Sequence, residues 1–208
     1  MKKLTLAIVL VAVAGLLALP VPASAVQFGL KAGANAANLT GLDAQNSSFG
    51  TLSNKLGFVG GIFLNFPMGN VFSIQLEGLY TMKGSDVTIT DVETISGKLY
   101  ANYIEIPLLL KFRIPTPGIS PFVFAGASVG FKLSEKLTAQ GQDVPLSEAL
   151  FKNNDYGAIF GGGLNIGGHF HIDVRYSLGM EKIVPALTDG TALDVKNGVW
   201  SATIGIGF

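Results

Sequence analysis

The chain has 208 residues, with 14 Lys and Arg against 14 Asp and Glu and a formal net charge of zero, which speaks against a nucleic-acid surface or an acidic interaction tail. Charged residues make up 13% of the chain where soluble proteins carry about a quarter, and the mean hydropathy is +0.47. With no Cys, disulfide frameworks, thiolate metal centres and lipoprotein-type acylation are excluded.

Residues 1–25 carry the marks of an export signal. Lys2 and Lys3 precede an unbroken apolar run over 4–19, Pro20 and Pro22 end it, and Ala23, Ser24 and Ala25 form a small-residue cleavage site. The run is shorter than the ~20 residues that a spanning helix needs. The mature chain is therefore expected to be 26–208, outside the cytoplasm.

Eight strand-like segments follow, at 27–38, 55–67, 70–83, 99–114, 119–133, 156–167, 168–181 and 197–208. Three connections are tight: Pro67 to Asn70, Pro115 to Gly118, and the pair Gly167 and Gly168. The other four, 40–54, 84–98, 134–155 and 182–196, are long and polar, with at most one helical turn at 146–151. Asp86, Asp91, Glu93, Asp143, Asp155 and Asp189 are expected in these loops. Short turns at one end and long loops at the other are the pattern of an up-and-down outer-membrane barrel. The even strand count puts both termini at the short-turn, periplasmic end. The segments also exceed the ~9–11 residues with which a tilted strand crosses hydrocarbon. The fold class is thus all-β: an eight-stranded antiparallel up-and-down transmembrane β-barrel.

The faces can be read from period-two alternation. Phe170, Ile172, Val174, Tyr176, Leu178 and Met180 alternate with His169, His171, Asp173, Arg175, Ser177, Gly179 and Glu181 without a break. Segment 70–83 sets Phe72, Ile74, Leu76, Tyr80 and Met82 against Ser73, Gln75, Glu77, Thr81 and Lys83. The last segment sets Trp200, Ala202, Ile204, Ile206 and Phe208 against Ser201, Thr203, Gly205 and Gly207. An apolar face toward lipid and a polar face toward the lumen fits, because the polar face holds glycine and both signs of charge rather than a uniform solvated coat. The reverse arrangement would be a soluble ligand-binding barrel. Aromatic residues collect at strand ends, as interfacial girdles require: Phe28, Phe66, Phe72, Phe112, Phe170 and Phe208 at the short-turn end, Tyr80, Tyr100, Tyr156 and Trp200 at the long-loop end. In 121–133 a bulge could change parity part-way, which leaves its faces open. Pro107 lacks an N–H and is expected to disturb its ladder locally.

On this parity the lumen receives Lys31, Glu77, Lys83, Glu105, Lys111, Arg113, Asp173, Arg175 and Glu181. An eight-stranded barrel is just wide enough for side chains to fill it, so these charges are expected to pair into a plug rather than line an ion or proton path. His169, His171 and Asp173 have a spacing open to metal binding or acid–base work. They begin a strand at the periplasmic turn, where polar residues commonly cap a barrel mouth, and no catalytic, metal or cofactor site is assigned to them.

A further set of motifs runs along the mature chain: Gly29 to Gly33 with Asn35 and Asn38, Gly57 to Gly61, Leu79 to Gly84, Tyr103-Ile104-Glu105-Ile106-Pro107 with Leu108, Leu109 and Lys111, and Pro121 to Gly126. Together they resemble the porin-like outer-membrane β-barrel family typical of Bacteroidetes, sometimes called PorT-like. The Tyr-Ile-Glu-Ile-Pro segment is the most specific, and the resemblance spans the mature chain. The resemblance implies a barrel shaped like OmpX and the OmpA transmembrane domain, and no single activity; some members serve in secretion.

The function expected is a non-enzymatic outer-membrane barrel whose long loops serve binding, envelope integrity or secretion. A narrow pore and an outer-leaflet lipid- or peptide-modifying enzyme are the alternatives. The partners expected are outer-membrane lipids, the barrel-assembly machinery, which would recognise the strand ending on Phe208, and an unidentified loop partner. Nucleic acid is not among them.

Overall fold

Alternating β-branched, aromatic and aliphatic residues separated by glycine turns fold here into strands. The computed structural model describes residue 15 and residues 26–40, 51–53, 55–90, 94–139, 142–144, 154–180 and 196–208. Among the described residues there are ten strands: β1 (Gln27–Thr40), β2 (Thr51–Ser53), β3 (Lys55–Met68), β4 (Phe72–Thr90), β5 (Thr94–Arg113), β6 (Ile119–Ala139), β7 (Gln142–Val144), β8 (Asn154–Ile166), β9 (Phe170–Gly179) and β10 (Lys196–Gly207). Eight of them close into an antiparallel barrel in the cyclic order β1-β3-β4-β5-β6-β8-β9-β10, sealed by the β1–β10 pair. The short β2 and β7 pair onto β4 and β6 outside that ring. The seam is complete: Leu30 opposes Ile206 and Ala34 opposes Ala202, and the last amide, of Phe208, donates to the Phe28 carbonyl at 2.7 Å.

The walls are inside out relative to a soluble protein. Leu110, Val123, Ile172, Val174 and Ile204 are 45–65% exposed, whereas Lys31, Glu77, Asp173 and Arg175 are at most 5% exposed. Along β9 every second side chain is buried. This is the arrangement for lipid outside and a polar interior. The tight turns at one end are built on left-handed glycines, with φ of 79° at Gly69, 78° at Gly118, and 61° and 80° at Gly167 and Gly168, a conformation that a Cβ would strain.

The strands run further than the hydropathy pattern suggests. Segment 84–98 is expected as a loop, yet β4 and β5 continue as one hairpin through Asp86–Lys98 and Thr88–Ser96 pairs to Thr90–Thr94. β6 likewise runs to Ala139. Polar residues pair as readily as apolar ones once no hydrocarbon has to be faced, and Val87, Thr88, Ile89 and Thr90 have strand propensity. Asp155, expected in a loop, is a buried residue of β8. The remaining loop acids, where they fall outside the described residues, and the helical turn at 146–151 are outside what the structure describes, as is the segment 182–195.

Two local irregularities interrupt the ladders. The β5–β6 register skips Leu133, between Asn102–Ser134 and Tyr103–Lys132. The bulge lies at the end of the stretch whose faces are open in the sequence, and burial settles those before it: Phe122 and Phe124 point inward, and Val123, Ala125 and Ala127 point out. The β4–β5 ladder lacks the two pairs Glu77–Pro107 and Gly78–Ile106 while keeping its register on both sides, since Pro107 has no N–H to give.

Around the outside, Phe28, Phe72, Phe112, Phe170 and Phe208 are exposed at the short-turn end, and Tyr156 and Trp200 at the other, with Tyr80 half-buried. Phe72 and Phe112 meet edge to face at 5.4 Å. Tyr176 joins Phe160 and Trp200 into an outer row, at 5.4 and 5.0 Å. Phe66 is a correction to the expected girdle. It keeps the outward parity of Ile62 and Met68, but only 4% of it is exposed, and Ile74 stands directly opposite it across the β3–β4 pair. Parity fixes where a side chain points, not what covers it. Tyr100 belongs to β5, and its side chain is outside the described set.

Candidate functional site in the barrel lumen

Glycines on neighbouring strands clear the space in which the inward charges meet. Lys31 of β1 is flanked in register by Gly61 and Gly205, Asp173 by Gly163 and Arg175 by Gly161. A Cβ on Gly163 would run into the Ile172 carbonyl oxygen and, at 2.8 Å, into the Phe122 ring; one on Gly161 would meet the Phe124 ring at 2.7 Å. The glycine run of β8 therefore admits the two rings that β6 turns inward.

Four charges form one closed tetrad. Lys31 Nζ lies 2.9 Å from both Glu77 Oε1 and Asp173 Oδ2. Arg175 reaches Glu77 Oε2 through Nη1 at 2.6 Å and Asp173 Oδ1 through Nη2 at 2.9 Å and Nε at 3.0 Å. Two cations thus face two carboxylates, each cation bridging both. The remaining acceptor capacity is used by neutral donors: Thr203 Oγ1 donates to Asp173 Oδ2 at 2.8 Å, and Gln75 Nε2 to Glu77 Oε1 at 2.5 Å. Aromatic faces cover the cations, with Arg175 Cζ 5.2 Å from the Phe124 centroid and Lys31 Nζ 6.0 Å from that of Phe63. Charges removed from water are tolerable only when paired and hydrogen-bonded in this manner.

The other inward charges lie apart from the tetrad. Lys111 Nζ donates to Gln75 Oε1 at 2.9 Å and stands 4.1 Å over the Phe122 ring. Arg113 is half-buried nearer the short turns, where Nη2 donates to the Asn70 carbonyl at 3.2 Å. Glu105, toward the long loops, accepts from Ser128 Oγ at 2.7 Å. Lys83 belongs to β4 with its side chain outside the described set, and Glu181 lies outside the described residues. Gln75, Thr203 and Phe63 join the network without standing out as charges. Parity places Gln75 and Thr203 inside, but their role depends on register across strands.

His169, His171 and Asp173 do not converge. His169 sits exposed in the β8–β9 turn with Nδ1 donating to the Gly207 carbonyl at 3.0 Å. His171 is buried, its Nδ1 2.6 Å from Asn165 Oδ1 and its ring edge on Phe63 at 5.3 Å. Asp173 belongs to the tetrad.

Small cavities flank the network on the barrel axis. One of about 10 Å³ lies toward the long loops among Thr81, Glu105, Arg175 and Ser201, and one of about 40 Å³ toward the short turns. A single water needs ~10–15 Å³ on this scale, so the upper space is at the limit for one molecule. Between the two, the cross-section is filled by the tetrad with Phe63, Phe122 and Phe124.

Residues 20–184 match the family model described as outer membrane protein beta-barrel domain. Among solved structures, the chain is similar to the outer membrane protein OprG of Pseudomonas aeruginosa, with 12% identity, 88% of this chain and 96% of that chain covered, and a TM-score of 0.50. It is also similar to the Neisserial surface protein A (16% identity, 87% and 97% covered, TM-score 0.47) and to Ail, the attachment invasion locus protein of Yersinia pestis (19% identity, 88% and 99% covered, TM-score 0.44). At such identities the likeness to OprG speaks to the fold alone. No curated protein matches the chain.

Proposed function

Because the chain belongs to the outer membrane protein beta-barrel domain family, and so to the barrels of the bacterial outer membrane, we propose that it is a sealed, non-catalytic scaffold. Its barrel serves to hold the long connections at the end opposite the tight turns, where binding, envelope integrity or a secretion role resides. The observation that carries this reading is the tetrad. Its four charges are all at most 5% exposed, and each cation contacts both carboxylates, so none of the four is free to pass an ion through the middle of the barrel.

In this reading residues 1–25 are removed on export and both ends of the mature chain face the periplasm, since Val26 and Phe208 sit at the tight-turn end beside the β8–β9 turn. The apolar alternation along β10, from Trp200 to Ile206, supports recognition by the barrel-assembly machinery. The Tyr103-to-Lys111 and Pro121-to-Gly126 segments support the narrower porin-like, PorT-like branch. They supply Pro107 at the broken ladder and the two inward rings.

Planar-bilayer recording tests the sealed barrel. The folded protein, verified by heat-modifiable gel migration, is expected to give no discrete conductance steps. Reproducible unitary steps would replace the scaffold reading with a pore.

A further inference from the structure

The cavity at the short-turn end has an unbalanced wall. It lies among Asn65, Ser73, Lys111, Arg113, Asn165 and His171, and Gln27 crosses the barrel mouth beside it, its Nε2 donating to the Gly168 carbonyl at 3.0 Å. At about 40 Å³ it has room for several water centres at ~10–15 Å³ each, or for one tetrahedral oxyanion.

The imbalance is first one of charge. Lys111 and Arg113 have no carboxylate at ion-pair distance among the described residues. Their hydrogen bonds go to the neutral oxygens of Gln75 and Asn70, and no Asp or Glu lines the cavity. Lys111 is 6% exposed and, with three N–H donors, keeps donors to spare. A buried cation without a counter-charge is costly.

It is also one of hydrogen bonding. Asn165 Oδ1 takes the Nδ1–H of His171, so Nε2 of the neutral ring is an acceptor. That atom is buried without a partner in a side chain only 6% exposed. Asn65 Oδ1 is a second buried acceptor without a partner. The wall thus sets orphaned acceptors beside uncompensated cations. Water satisfies the acceptors and leaves the charge. Chloride or sulfate neutralises the charge and brings no proton to the acceptors. A protonated oxyanion does both, with its charged oxygens on Lys111 and Arg113 and its hydroxyl donating to His171 or Asn65.

We propose that this cavity is a binding site for a phosphate-class oxyanion that carries a hydroxyl, either free phosphate or the phosphate monoester of an anionic lipid headgroup. The site is separate from the long loops and goes beyond the scaffold reading.

Isothermal titration of inorganic phosphate and of sulfate into the folded protein in dodecyl maltoside tests it. One phosphate site is expected, with sulfate about tenfold weaker because it leaves both acceptors unpaired. Arg113→Gln should weaken phosphate about tenfold through the lost charge-assisted bond. His171→Phe should narrow the preference for phosphate over sulfate. Lys111→Met should abolish binding, and should that variant fail to fold, Arg113→Gln and His171→Phe carry the test alone. Adding phosphatidic acid, whose phosphate is a monoester, to the micelles separates the two sources: weakened phosphate binding identifies the headgroup as the ligand, and unchanged binding identifies the free anion. No phosphate binding by the folded wild type, equal binding of phosphate and sulfate, or binding unchanged in Arg113→Gln overturns the proposal.

Discussion

Glu77→Gln is expected to destabilise the barrel by ~3–5 kcal/mol, the cost of breaking a buried ion pair from one side. Glu77 accepts from Lys31, Gln75 and both terminal nitrogens of Arg175. The amide retains one acceptor but turns an NH2 toward guanidinium N–H groups, so donor meets donor. It also leaves Asp173 as the sole carboxylate for two buried cations. Urea unfolding in detergent, followed by the heat-modifiable gel shift, measures the loss. A value under ~1 kcal/mol, the range of exposed pairs, would show that the tetrad is solvated and that the lumen is not sealed by it.

Val174→Arg should cost ~2–4 kcal/mol for a cation placed near the bilayer midplane. Val174 is 49% exposed on the outer wall. Its register neighbours are Gly162 and Ala202, which are too small to shelter a guanidinium. Val174→Leu serves as the control and should fold like the parent. The comparison is made by the folded fraction after insertion into lipid vesicles. If the arginine variant inserts as fully as the leucine one, Val174 does not face lipid.

Much of this was legible in the chain because a barrel strand repeats every two residues. The 170–180 alternation separates Val174 from Arg175 without any tertiary information, and Pro107 announces its missing ladder bonds through the chemistry of one residue. What stayed hidden was of three kinds. Alternation assigns a charge to the lumen but not its partner. That Asp173 meets Lys31 while Lys111 meets Gln75 follows from strand tilt and register, which no local pattern encodes. Hydropathy also finds strands only where they face lipid. The hairpin through Asp86 and Lys98 is polar, so it reads as loop although its backbone pairs as well as the rest. Phe66 shows a third limit, since its parity is right and its exposure is not.

The sequence distances within the tetrad have a kinetic consequence. Lys31 and Asp173 are 142 residues apart, and Glu77 and Arg175 are 98 apart. β1 and β9 become near neighbours only through β10, so these bonds form after the two ends of the sheet have met. Interactions absent from the folding transition state slow unfolding and leave folding speed untouched. Glu77→Gln should accordingly unfold faster and fold at the parental rate. The tetrad then acts as a latch, engaged last and released first, that sets how long the finished protein endures rather than how quickly it is made.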